Sequence, residues 1–99
     1  MAIAPRTQRR FLEEVPALLA EQGISARELA RRVGVDQSYL AFVIGGRRSP
    51  SRRLLEGAAA ALGLPPDYFR EYREAIVLER IKADPALLDR IYALVTKPK

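Results

Sequence analysis

Arg47, Arg48, Arg52 and Arg53 fall within seven positions, with no acidic residue among them. Guanidinium groups at that density offer one chemistry above others: forked, charge-assisted hydrogen bonds to an oxyanion such as phosphate. Ser51 is a candidate N-cap, which puts Arg52 and Arg53 in the first turn of a helix. Cations at that end oppose the helix dipole. A sequence that accepts this local cost has another use for the charge, and phosphate is the natural one. A solvated basic loop is the plain alternative.

Catalytic chemistry finds little support. The chain has no histidine and no cysteine, so the commonest general base and the thiolate ligands of metals are missing. The acidic residues are scattered as helix caps and surface partners. Glu13, Glu14, Glu71 and Glu74 read as exposed face positions with arginines nearby. Ser25 and Ser38 have no evident activating base. Gly45 and Gly46 belong to no phosphate-cradling pattern, since there is neither a GxGxxG run nor a Walker lysine. No catalytic residue, no metal site, no cofactor and no enzyme activity is expected.

The elements that would position the arginines lie just before them, in GISARELARRVGVDQSYLAFVIGGRRSP from Gly23 to Pro50. Ser25 can cap a helix, and Glu28 sits three residues on, the capping-box spacing in which hydroxyl and carboxylate each satisfy a backbone N–H. Ala26, Leu29, Ala30 and Val33 recur at helical spacing. Gly34 is suited to the left-handed conformation that ends a helix. Asp36 is a second N-cap, opening a helix that stops at Gly45-Gly46. Two short helices joined by a glycine-led turn form a helix-turn-helix, whose second helix can enter the major groove with its N-terminal residues at base edges. Spacing alone leaves a simple compact helical pair equally open.

The ordered combination Ser-Ala-Arg-Glu-Leu-Ala at 25–30, Val-Gly-Val at 33–35, Ser-Tyr-Leu at 38–40 and Gly-Arg-Arg-Ser-Pro at 46–50 resembles the Cro/repressor-type, or Xre-like, helix-turn-helix family. The resemblance covers roughly residues 11–70. It implies an all-α fold, a five-helix DNA-binding domain, and a sequence-specific double-stranded DNA-binding transcriptional regulator, usually dimeric. In that reading Gln37, Ser38, Ala41 and Phe42 contact bases, while Arg27, Tyr39, Arg47, Arg48 and Arg52 contact phosphates. Three positions depart from the family: Ala26 replaces a frequent glutamine, Phe42 a polar or basic base reader, and Ile44 a frequent acidic residue. Phe42 suits either a thymine methyl or a buried or protein-facing position.

Periodicity supplies the helices: about 7–22, 25–33, 36–45, 51–62 and 65–82, with a C-terminal helix at about 85–96. Phe11, Leu12, Val15, Leu18 and Leu19 form the apolar face of the first, with Pro16 inside it and a kink expected there. Leu64-Pro65-Pro66-Asp67 is expected to start the fifth, with Phe69 plugging the core. Asp84 and Pro85 mark a fresh start. Leu87, Leu88, Ile91, Tyr92, Leu94 and Val95 then make a wide stripe that needs a cover. The organisation expected is 1–70 as the DNA-binding domain, with a short basic N-terminal arm at Arg6, Arg9 and Arg10, and 71–99 as a helical extension.

A homodimer through 71–96, acting as a repressor, is the first expectation. The alternative is a protein-interaction module, an antitoxin or adaptor whose C-terminal helices hold a partner protein. Ninety-nine residues with 48% hydrophobic and 29% charged content suit one soluble domain. The formal net charge of +5 favours a polyanionic partner without identifying it. No membrane segment or secretory leader is evident, and without cysteine a cytoplasmic setting is expected.

Overall fold

The computed structural model of the chain describes residues 9–98. Its six helices are α1 (Phe11–Gln22), α2 (Ala26–Val33), α3 (Gln37–Ile44), α4 (Arg52–Ala61), α5 (Arg70–Ala83) and α6 (Pro85–Thr96). There is no strand among the described residues, so the all-α expectation holds, with five helices and a C-terminal sixth.

Local chemistry places the helix ends. Ser25 Oγ accepts the Glu28 N–H at 3.0 Å, Asp36 Oδ1 the Ser38 N–H at 2.7 Å, and Ser51 Oγ the Leu54 N–H at 3.1 Å. Asp84 caps α6 by accepting the Leu87 N–H at 3.1 Å, with Pro85 in the first turn. The capping box at Ser25 forms only by half. The Glu28 carboxylate turns instead to Arg31 Nε (2.9 Å) and Arg32 Nε (3.0 Å), because two guanidiniums one turn along outbid a single backbone N–H. Those bonds, Arg31 first, hold its carboxyl at about 2, well below the ordinary carboxylate range.

Two helix starts differ from the sequence expectation. The first helix begins at Phe11, not residue 7: residues 7 and 8 lie outside the described part, and Arg10 is extended at φ −80°, ψ 142°. Arg6 of the expected basic arm also lies outside it, while Arg9 rests its guanidinium over the Tyr68 ring at 4.7 Å. What caps α1 is Glu71, whose two carboxylate oxygens each lie 3.0 Å from the Phe11 nitrogen; the sequence reading had put Glu71 on an exposed face. The helix runs unbroken through Pro16. The fifth helix starts at Arg70, not 65. A proline disfavours the α region for the residue before it, and here two follow each other. Residues 65–68 instead close a turn through Tyr68 N–H to the Pro65 carbonyl (3.0 Å), and Phe69 stays extended at φ −82°, ψ 138°.

That extended residue drives Phe69 into the core. It is fully buried, 5.0 Å from the Phe11 ring centroid. Around the pair lie Val15 and Leu19 of α1, Leu29 and Ala30 of α2, Leu40 and Val43 of α3, and Leu54, Leu55, Ala58 and Ala59 of α4. The small residues of α4 let α2 come close: a Cβ on Gly57 would stand 2.5 Å from Val33 Cγ1. Gly57→Ala is therefore expected to destabilise by about 1–3 kcal/mol, less up to about 1 kcal/mol of helix propensity regained. Chemical denaturation checks this, and adding Val33→Ala should recover the overpacking part of the loss.

Every buried side chain among the described residues precedes Arg70. Helices α5 and α6 bury none, and they leave Val77, Leu78, Leu88, Tyr92, Leu94 and Val95 exposed. The molecule measures 48 × 31 × 24 Å, with a radius of gyration of 15.9 Å against roughly 13 Å for a spherical chain of this length.

Candidate nucleic-acid interface

Helix α3 divides cleanly by exposure. Leu40 and Val43 are buried, Tyr39 and Ile44 half-buried, and Gln37, Ser38, Ala41 and Phe42 all face solvent. Helical periodicity explains the split: residues 37, 38, 41 and 42 share one arc, and the core takes the opposite one. An amide, a hydroxyl, a methyl and a phenyl ring therefore stand side by side on one exposed face. Phe42 is 42% exposed and is neither in the core nor packed against it.

The end of α3 aims the basic loop. Gly46 is left-handed at φ 77°, the Gly46 N–H reaches the Val43 carbonyl at 3.0 Å, and the Arg47 N–H reaches the Phe42 carbonyl at 2.8 Å. This is the Schellman pattern, and its left-handed position suits glycine because a Cβ there would strain the backbone. Arg47 and Arg48 leave from it into solvent. Tyr39 then braces the loop: its hydroxyl accepts the Ser51 N–H at 2.7 Å and donates to the Ser49 carbonyl at 3.3 Å. The Arg48 guanidinium lies 5.2 Å from the Tyr39 ring centroid.

The cations sort into two groups. Arg27, Arg47 and Arg48 are exposed and form no ion pair among the described residues. Arg27 sits in the first turn of α2, beside a notch it lines together with Ser25 and Gln37. From Gln37 to Leu55 the chain holds no carboxylate. Glu71 and Glu74 line a groove with Arg47 and Arg48, yet both are engaged: Glu71 by the Phe11 N–H and Glu74 by Arg70 Nε at 3.0 Å.

Arg52 falls in the other group. Its Nε meets Glu56 Oε1 at 3.1 Å, and its Nη1 donates to Glu79 Oε2 at 2.6 Å. The Glu56 bond, then the Glu79 bond, raise its pKa further. The guanidinium of Arg52, from which a phosphate contact was expected, thus lies between two carboxylates and links α4 to α5. Arg53 reaches the Gly34 carbonyl at 3.1 Å, placing a cation at the C-terminal end of α2 where the dipole favours it. The cost of cations at the start of α4 is thus offset inside the protein. Glu56, one turn from Arg52, was the visible signal; Glu79 gave none in the sequence. Tyr39 likewise has its hydroxyl proton on a carbonyl of its own chain.

What remains is a surface of α3 with polar and apolar groups at its tip, near guanidiniums that form no ion pair among the described residues. No group of three or more histidine, cysteine or acidic side chains is placed to hold a metal ion among the described residues, and no described helix is long and apolar enough to cross a membrane. Residues 17–69, more than half of the chain, match the family model described as helix-turn-helix. Neither the curated proteins nor the solved structures contain a match.

Proposed function

The chain belongs to the Xre/Cro-type helix-turn-helix family, and from that premise we propose that this DNA-binding regulator is a sequence-specific, dimeric repressor with α3 in the major groove. The observation that carries the proposal is the exposed face Gln37, Ser38, Ala41 and Phe42, flanked by Arg27, Arg47 and Arg48, which have no ion-pair partner among the described residues. Gln37 and Ser38 lie at the helix start, where the geometry of this motif brings side chains to base edges. Arg27, Arg47 and Arg48 fix register on phosphates. Tyr39 acts one step back, by holding the loop that presents Arg47 and Arg48.

The proposed organisation keeps 1–70 as the DNA-reading part and gives 71–96 the homodimer contact. The exposed apolar side chains of α5 and α6 support it, since six such groups on two successive helices call for a cover. Two copies also set two α3 helices about one DNA turn, roughly 34 Å, apart. The same apolar surface favours one second reading, an adaptor or antitoxin whose C-terminal helices grip a different protein. A purified chain that stays monomeric at high concentration would favour that reading.

Arg48 and Arg52 separate the phosphate set experimentally. Arg48→Ala is expected to weaken binding to every duplex sequence and to reduce the slope of log K against log salt by about one contact per protomer. Arg52→Ala should leave that slope unchanged, because its guanidinium is already held by Glu56 and Glu79. Fluorescence anisotropy over a salt series measures both. An unchanged slope for Arg48→Ala would remove it from the interface.

A further inference from the structure

Between Gln37 and Ile44, α3 carries no charged residue at all. That absence is informative, because the four base pairs differ in what they ask of a reader. Guanine presents two acceptors in the major groove, and the commonest partner for them is an arginine or lysine. Cytosine presents an amino donor, which a carboxylate accepts. Adenine presents a donor beside an acceptor, matched by a glutamine or asparagine amide. Thymine alone presents a methyl group, matched by apolar side chains.

The exposed face of α3 holds the second pair of partners and lacks the first. Gln37 is exposed, and its amide has no hydrogen-bond partner among the described residues. Ala41 and Phe42 present a methyl and a ring one turn farther along. Asp36, the one carboxylate at the helix start, already accepts the Ser38 N–H at 2.7 Å. The cations with no ion pair among the described residues stand on neighbouring elements, Arg27 on α2 and Arg47 and Arg48 in the following loop. Ser38 accepts or donates and discriminates little.

We infer that the half-site under α3 is A·T-rich: an adenine pairs with the Gln37 amide, and one or more thymine methyls seat against Ala41 and Phe42. The inference rests on the DNA-binding reading above and adds the base composition that this helix selects. It also gives the exposed Phe42 ring a specific task, recognition of a C5-methyl group.

The test uses the full chain and two linked measurements. Selection from a random duplex pool should return half-sites with an adenine and, within a few base pairs, at least one thymine. The selected duplex is then made with deoxyuridine in place of each thymine, which removes only the methyl group. Binding should weaken roughly fourfold at each contacted position, the effect of losing one buried methyl-sized group. Phe42→Ala, at an exposed position, should bind the thymine and deoxyuridine duplexes alike at the position it contacts; a thermal melt confirms that the variant is folded. Enrichment of G·C pairs under α3, or equal affinity of the wild-type chain for thymine and deoxyuridine duplexes, overturns the inference while leaving DNA binding intact. A pool from which nothing is retained even at low salt overturns the DNA-binding reading, and this inference with it.

Discussion

Substituting Tyr92→Glu together with Val95→Glu is expected to convert the protein to a monomer and to weaken operator binding by roughly 10²–10⁴-fold. These side chains lie 67% and 72% exposed in the single chain, one turn apart on α6. Glutamate is a good helix former, so α6 should persist, and surface changes of this kind leave stability within about 0.5 kcal/mol. A self-complementary contact around a two-fold axis would instead meet its own new charges, which repel and must be desolvated. Losing the second protomer removes the effective concentration that links two half-sites, which is the origin of the large factor. Sedimentation equilibrium gives the oligomeric state and anisotropy gives the affinity. A variant that remains dimeric places the contact elsewhere. A monomer with undiminished affinity would show that one copy of α3 suffices.

The second large effect is on stability, and it contrasts two phenylalanines. Phe69→Ala should cost about 3–5 kcal/mol, because the ring is fully buried against Phe11 and leaves a cavity. Against a typical total of roughly 5–15 kcal/mol that is a large share, lowering Tm on the order of 20 °C. Phe42→Ala, by contrast, should change stability by less than about 0.5–1 kcal/mol, since its ring faces solvent. Paired thermal melts decide the matter. If Phe42→Ala proved as damaging as Phe69→Ala, the α3 face would not be open for contact.

Phe69 also shows how far the residues could be read in advance. Its burial followed from its place in the apolar pattern, but the helix around it did not. Prolines at 65 and 66 look like a helix start when only the first turn is considered. The restriction each imposes on the preceding residue, and the pull of the core on an extended Phe69, won instead. The boundaries of α2 and α3 were legible because caps and glycines act over three or four residues. The exposed arc of α3 was less legible: the sequence left Phe42 open between the groove and a buried or protein-facing place, and only the burial of Leu40 and Val43 shows which side faces the core.

The ion pair of Arg52 with Glu79 could not be read in advance because that partner lies on α5, 27 positions along the chain. Glu71 was misread for the same reason: it caps α1 across 60 positions, and nothing local marks it. Long-range pairs between charged groups decide which arginines stay available, and they become visible only once α5 is seen against α1 and α4.

The most direct measurement of the central claim, that the tip of α3 and its flanking guanidiniums grip duplex DNA, is the binding of the unmodified chain to mixed duplex DNA across a salt series. With Arg27, Arg47 and Arg48 contacting phosphates in each of two protomers, binding at low salt should be tight, and log K should fall linearly with log salt at a slope of roughly −5. No retention at low salt, or binding that does not respond to salt, would contradict it.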